Sequence, residues 1–176
     1  MVEHRAGWLD PVFLALTVAG YAGLVWILLA PLLAIWARRP VLAATALTAV
    51  CVWSSDLLAL AFKELIDRPR PFEVLEQADP LIGATVGDSL PSGHAATSFA
   101  GAVVLSYLFR RGLGAFALLA LAVSFSRLYV GVHYGSDLLA GAALGTAVAL
   151  LALGALRLRR PTSEGPRRSE AAPPAG

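Results

Sequence analysis

Three short polar stretches hold most of the residues in this chain that can do chemistry: "KELIDRPRP" at 63–71, "PSGH" at 91–94 and "SRLYVGVHYGSD" at 126–137. In the last, His133 and Asp137 are four residues apart. On a helix that spacing puts both on one face, a turn apart. A carboxylate so placed accepts the proton on one imidazole nitrogen, fixes the tautomer and leaves the other nitrogen as a nucleophile. Arg127 lies six residues before His133, across a turn that contains Gly131. Its guanidinium suits two-point binding of phosphate. In "PSGH", Pro91 precedes Ser92, a good N-cap for the apolar helix that follows. Free N–H groups at a helix start attract an anion. Gly93 lets an oxyanion approach the backbone closely, and His94 is suitably placed to donate a proton. Lys63 and Arg70 supply two further cations, and Pro69 and Pro71 stiffen the chain around Arg70.

Three cations, an N–H nest, two histidines and one buttressing aspartate make a tetrahedral polyanion the natural ligand. One histidine can attack phosphorus while the other protonates the leaving oxygen. No cluster of carboxylates points to a divalent metal, so neither metal nor cofactor is expected.

These groups must be held by helices in a membrane. Of 176 residues, 57% are hydrophobic and the mean hydropathy is +0.69, more apolar surface than a soluble domain of this length can hide. The net charge of +2 leaves no basic face for nucleic acid. Apolar runs cover residues 11–37, 41–62, 92–109, 112–132 and 138–156. A span needs about 20 apolar residues, so the chain reads as an all-α bundle of five transmembrane helices, with Pro31 as the expected kink in the first. Gly141 and Gly145 in the fifth run allow close helix packing. Residues 1–157 read as a single domain, and the Pro-, Ser- and charge-rich residues 158–176 as a disordered cytoplasmic tail. One side of the membrane receives Arg38, Arg39, Arg110, Arg111 and the arginines of the tail. By the positive-inside rule that side is the cytoplasm. All three polar stretches then face outward. If the first run were two spans, only the N-terminus would change sides.

The spaced set Lys63, Arg70, Pro71; Pro91 to His94; and Ser126, Arg127, His133, Asp137 resembles the motifs of the type 2 phosphatidic acid phosphatase superfamily. The motifs are complete, in order, and far more specific together than singly. The resemblance implies an integral-membrane lipid phosphatase that needs no metal and works through a phosphohistidine. By position it makes His133 the nucleophile, Asp137 its orienting group and His94 the general acid. Lys63, Arg70 and Arg127 bind phosphate, assisted by Ser92 and Gly93. Inhibition by vanadate follows, because its trigonal-bipyramidal form mimics the transition state. Members commonly have six helices, against the five read here.

Some residues lie outside the motifs. Asp56 falls within a membrane helix, seven residues before Lys63 and on the same face; it is expected to play a structural or supporting part. Arg68 is open between contact with phosphate or lipid headgroups and plain solvation. Residues 73–88 read as an acidic solvated lid whose apolar side chains can dip into the membrane surface. His4 reads as solvated, and Cys51 as a small core residue. Undecaprenyl diphosphate is the leading expected substrate. Phosphatidylglycerophosphate, phosphatidate and a polyprenyl-phosphoribose phosphate stay open, because the motifs read the phosphate and not the tail. A non-catalytic transporter or scaffold on the same fold is the alternative of another class; the intact His94, His133 and Asp137 argue against it. The sequence does not indicate an oligomeric state.

Overall fold

The computed structural model describes residues 5–75, 79–83, 85 and 87–158. Those residues form helices and no strand. The helices are α1 (Asp10–Ala19), α2 (Leu24–Trp36), α3 (Val41–Ile66), the single turn α4 (Pro71–Val74), α5 (Gly93–Leu108), α6 (Leu113–Tyr129) and α7 (Gly135–Leu158). The runs at 41–62, 92–109, 112–132 and 138–156 correspond to α3, α5, α6 and α7. Among the described residues three helices are long and apolar enough to cross a membrane, or four if the bent pair α1–α2 is one span. The protein is a multi-pass membrane protein. His4 and residues 159–176, which hold almost all of the expected tail, lie outside the described residues.

The bundle is apolar on the outside and small-residue on the inside. Leu42, Leu57, Leu118, Leu139 and Leu151 are exposed, as a hydrocarbon solvent allows, whereas alanines such as Ala30, Ala59, Ala96 and Ala149 are buried. Without a difference in hydrophobicity between lipid and core, helices associate by close backbone approach, which small residues permit. α5 is the hub, in contact with α2, α3, α6 and α7. A Cβ on Gly145 would overlap the Ala96 carbonyl, and one on Gly141 the Ser92 carbonyl. Glycine at these two positions is therefore what seats α7 against the start of α5.

The first apolar run departs from expectation. It does not bend at Pro31, which sits inside a continuous α2. It breaks at residues 20–23, with a bend of 53° between the two arms. Ala22 (φ 49°) and Gly23 (φ 68°) both adopt left-handed backbone there, which terminates the helical hydrogen-bond ladder; for Ala22 this costs about 1–2 kcal/mol. A Cβ at Gly23 would overlap the Val52 side chain of α3, so close packing supports the break. Beyond it, Trp26 is fully buried and lies against Gly101 of α5, where no Cβ intervenes.

The C-terminal ends of α3 and α6 and the N-terminal ends of α5 and α7 meet at one end of the bundle. The arginines at 38, 39, 110 and 111 follow or precede the opposite ends. Arg157 joins them there, its guanidinium 5.1 Å from the ring centre of Tyr107 near the end of α5.

Candidate active site

The three polar stretches converge where those four helix ends meet. Between α6 and α7 the chain turns through Gly131, in left-handed backbone (φ 83°). This turn places His133 just ahead of α7 and Asp137 in its first turn. His133 is 4% exposed and Asp137 0%, so both work away from bulk water. His133 Nδ1 lies 3.4 Å from Asp137 Oδ2, long for a hydrogen bond. A carboxylate accepts, so the proton sits on Nδ1 and the lone pair on Nε2. Burial pushes the His133 imidazole down to about 4; Asp137 opposes this, and the charges of Arg70, Lys63 and Arg127 add to it. The free base is thus the form present at neutral pH.

Asp137 is held on several sides. Arg68 Nη1 donates to Oδ1 at 2.7 Å, the Tyr134 N–H donates to Oδ2 at 2.8 Å, and the Ser89 hydroxyl donates to Oδ2. Arg68 also reaches the Ser136 hydroxyl at 2.8 Å and lies 4.2 Å over the Tyr134 ring. Its contacts are to the carboxylate under His133, a role that its spacing did not reveal. Ser89 and Tyr134 were not singled out in the sequence either. A short polar residue and an aromatic beside a motif carry no signal of their own.

Arg70 is locked by carbonyls: Nε donates to Gly87 O at 2.7 Å and Nη1 to Val132 O at 3.0 Å. Its backbone N–H is capped by Glu73 Oε2 at 2.7 Å, which starts α4. Lys63 Nζ donates to the Asp88 carbonyl. The expected lid, residues 73–88, is therefore tied in at its far end through Gly87 and Asp88, with Ser89 just beyond it; residues 76–78, 84 and 86 lie outside the described residues. Of the apolar side chains expected to dip outward, Val74 and Leu75 are exposed. Leu81 is half-buried, and its N–H bonds Val130 O at 3.1 Å. Arg127 is 4% exposed, and its Nε has no hydrogen-bond partner among the described residues.

Ser92 caps α5 as expected, its hydroxyl accepting from the Ala95 N–H at 3.5 Å. Its own N–H is taken by the Asp137 carbonyl at 3.0 Å. The unbonded N–H groups of the first helical turn therefore begin at Gly93. The Asp56 carboxyl stands against this glycine: a Cβ there would lie 2.9 Å from Asp56 Oδ1. His94 Nε2 meets the Thr17 carbonyl at 3.1 Å, a partner in α1 that nothing in the motifs announced.

The model of the PAP2 superfamily matches residues 40–161 of this chain. A lipid A 1-phosphatase of Rhizobium johnstonii is 37% identical over 101 residues, 55% of this chain and 41% of the relative. An undecaprenyl-diphosphatase of Sulfolobus acidocaldarius is 31% identical over 130 residues, 73% of this chain and 62% of the relative. The crystal structure of a transmembrane PAP2-type phosphatidylglycerolphosphate phosphatase from Bacillus subtilis superposes with a TM-score of 0.72 at 26% identity, covering 90% of this chain and 82% of that one. The chain spans about two fifths of the length of the Rhizobium relative that it matches. With the matched segment taking in α3 to α7 and every residue of the three polar stretches, the chain belongs to the PAP2 superfamily.

Proposed function

We propose that the protein is a membrane lipid phosphatase that works through a phosphohistidine and needs no metal. His133 Nε2 attacks phosphorus; a P–N bond forms as the P–O bond to the leaving group breaks. His94 gives a proton to the leaving oxygen. It then takes one from the water that cleaves the P–N bond and frees inorganic phosphate. Lys63, Arg70 and Arg127 hold the phosphate oxygens, assisted by the free backbone N–H at Gly93 and by Ser92, which caps α5 there, and Asp137 orients His133. Asp56 plays a supporting part at Gly93.

One observation carries this reading. Lys63, Arg70 and Arg127 all lie close enough to His133 to act on its charge, while the buried carboxylate there, Asp137, is already engaged by Arg68, Ser89 and Tyr134. The surplus of positive charge suits a phosphate. An apolar groove lined by Phe62, Ile66, Leu90, Pro91, Ala140 and Leu144 opens beside Ser92, which favours a phosphate carried on a lipid. The relatives' names span lipid A, undecaprenyl diphosphate and phosphatidylglycerolphosphate. Among these we favour undecaprenyl diphosphate, cleaved to the monophosphate on the extracytoplasmic face, as the distribution of arginines suggests.

Phosphate release by purified protein in EDTA, over a panel of lipid phosphates and diphosphates, tests the proposal. Wild type should release phosphate from at least one, and His133→Ala should lose about four orders of magnitude. Silence of the wild type on every lipid would sink the enzyme reading, and equal release by the variant would sink the nucleophile.

A further inference from the structure

The end of α1 makes a contact that falls outside the segment matched by the family model, which starts at residue 40. Thr17 belongs to the last turn of α1, where carbonyls have no N–H further along the helix to bond. Its carbonyl meets His94 Nε2 at 3.1 Å. A carbonyl can only accept, so Nε2 carries the hydrogen. Nδ1 is then the nitrogen left to exchange a proton with a reacting group. The negative end of the α1 dipole points at the same ring and favours positive charge on it. That matters because Arg127, Lys63 and His133 face the same space.

Two further contacts fix the carbonyl in place. The Thr17 hydroxyl pairs with the Ser126 hydroxyl at 2.9 Å, and Ser126 in turn donates to Val123 O at 2.7 Å. This ties α1 to the helix that carries Arg127. Gly20, at the end of α1, lies so close to α6 and α5 that a Cβ would overlap Val123 and stand 3.0 Å from His94 Cδ2. The left-handed pair Ala22–Gly23 then turns the chain away, so that the helix ends where its last carbonyls reach His94.

We propose that α1 is a working part of the active site, with Thr17 a positioning residue whose backbone carbonyl holds the Nε2–H of His94 and so assigns proton transfer to Nδ1. The proposal rests on the phosphatase reading for what His94 does, and on geometry alone for how His94 is held. In the first chemical step the Nδ1 proton passes to the leaving oxygen as the P–O bond breaks. In the second, Nδ1 takes a proton from the attacking water, while Nε2 keeps its hydrogen throughout.

Two measurements test it. In wild-type protein with isotope-labelled histidine, NMR should show His94 protonated at Nε2, the signal being assigned by its loss in His94→Asn. A His94 protonated at Nδ1 alone would overturn the proposal, whatever the activity. Gly20→Ala and Thr17→Val should then be compared on dodecyl phosphate and on a nitrophenyl phosphate with the same alkyl chain, whose leaving group departs without a proton. Positioned general-acid catalysis is worth about 10²–10⁴. Each variant should therefore lose at least about tenfold in kcat on the alkyl ester with KM within about twofold, and less than about threefold on the nitrophenyl ester. Equal losses on both esters, or none on either, would mean that α1 is only scaffold. A wild type inactive on both would remove the phosphatase reading and leave the tautomer measurement to decide the contact.

Discussion

Residues 63–137 and residues 10–36 both build this site, and they do so by different means. The first region brings charged and titratable side chains: Lys63, Arg70, His94, Arg127, His133 and Asp137. The second has no charged residue after Asp10. It contributes a backbone carbonyl at Thr17, a helix break at residues 20–23 and one large core side chain, Trp26. Both Thr17 and Trp26 land on α5, the helix that starts at the candidate phosphate site. The contrast teaches that polar side chains in a membrane chain advertise chemistry through their cost, whereas a carbonyl at a helix end is present in every sequence and announces nothing.

Substitutions in the two regions should separate these contributions. The largest effect is expected at Arg127, in the side-chain region. Arg127→Ala should cost about 10²–10³ in kcat/KM, and Arg127→Lys should recover only part of it, because an ammonium cannot reproduce two-point binding. Full recovery by lysine would reduce Arg127 to a point charge. Next comes Trp26→Ala in the N-terminal region. Emptying that buried site should lower stability by about 3–5 kcal/mol, read by thermal inactivation in detergent, while kcat falls less than about tenfold. A collapse of kcat with unchanged stability would erase the distinction between the two regions.

A smaller effect is expected at Arg68→Ala, about tenfold in kcat. Ser89 and the Tyr134 N–H still hold Asp137 after the arginine is gone. A loss as deep as that of His133→Ala would move Arg68 into direct contact with phosphate. The smallest concerns pH. His133 sits at about 4 in the folded chain, below its ordinary 6.5. With substrate ionisation accounted for, kcat/KM should show no fall centred near 6.5 and should drop only as the pH approaches 4. The same shift means that the unfolded chain takes up this proton first. The contribution of His133 to stability is therefore full above 6.5 and lost as the pH falls through about 4. A midpoint near 6.5 in the kinetics would show a solvated nucleophile.

Much of the site was legible because membrane segments make polar residues conspicuous. The i, i+4 pair His133–Asp137, the cap at Ser92 and the close approach of Gly141 and Gly145 are local consequences of helical geometry, and the structure shows each contact. Arg68 and Ser89 were not legible as partners of Asp137, because their roles depend on how the α3–α4 link and the loop before α5 cross the start of α7; the Tyr134 contact is local, but any residue's N–H could make it. The bend was misplaced for a related reason. Proline is a visible helix breaker, yet Pro31 is accommodated within α2. The break falls where Gly20 and Gly23 let neighbouring helices close in, a tertiary cause that no local propensity carries.

The length of α5 has a consequence for where the reaction takes place. Sixteen residues rise about 24 Å, short of the ~30 Å of hydrocarbon in a typical bilayer. The far end lies next to Arg110 and Arg111, residues suited to the polar surface, so the shortfall would fall on the end that starts at Gly93. On the proposed reading, the phosphate would then be bound below the plane of the neighbouring headgroups, and a lipid would need only to slide sideways and sink its headgroup slightly, instead of lifting its tail into water. On that reading bilayer thickness would become a variable of the activity: a thinner membrane would bring the phosphate plane down to α5, and a thicker one would draw it away.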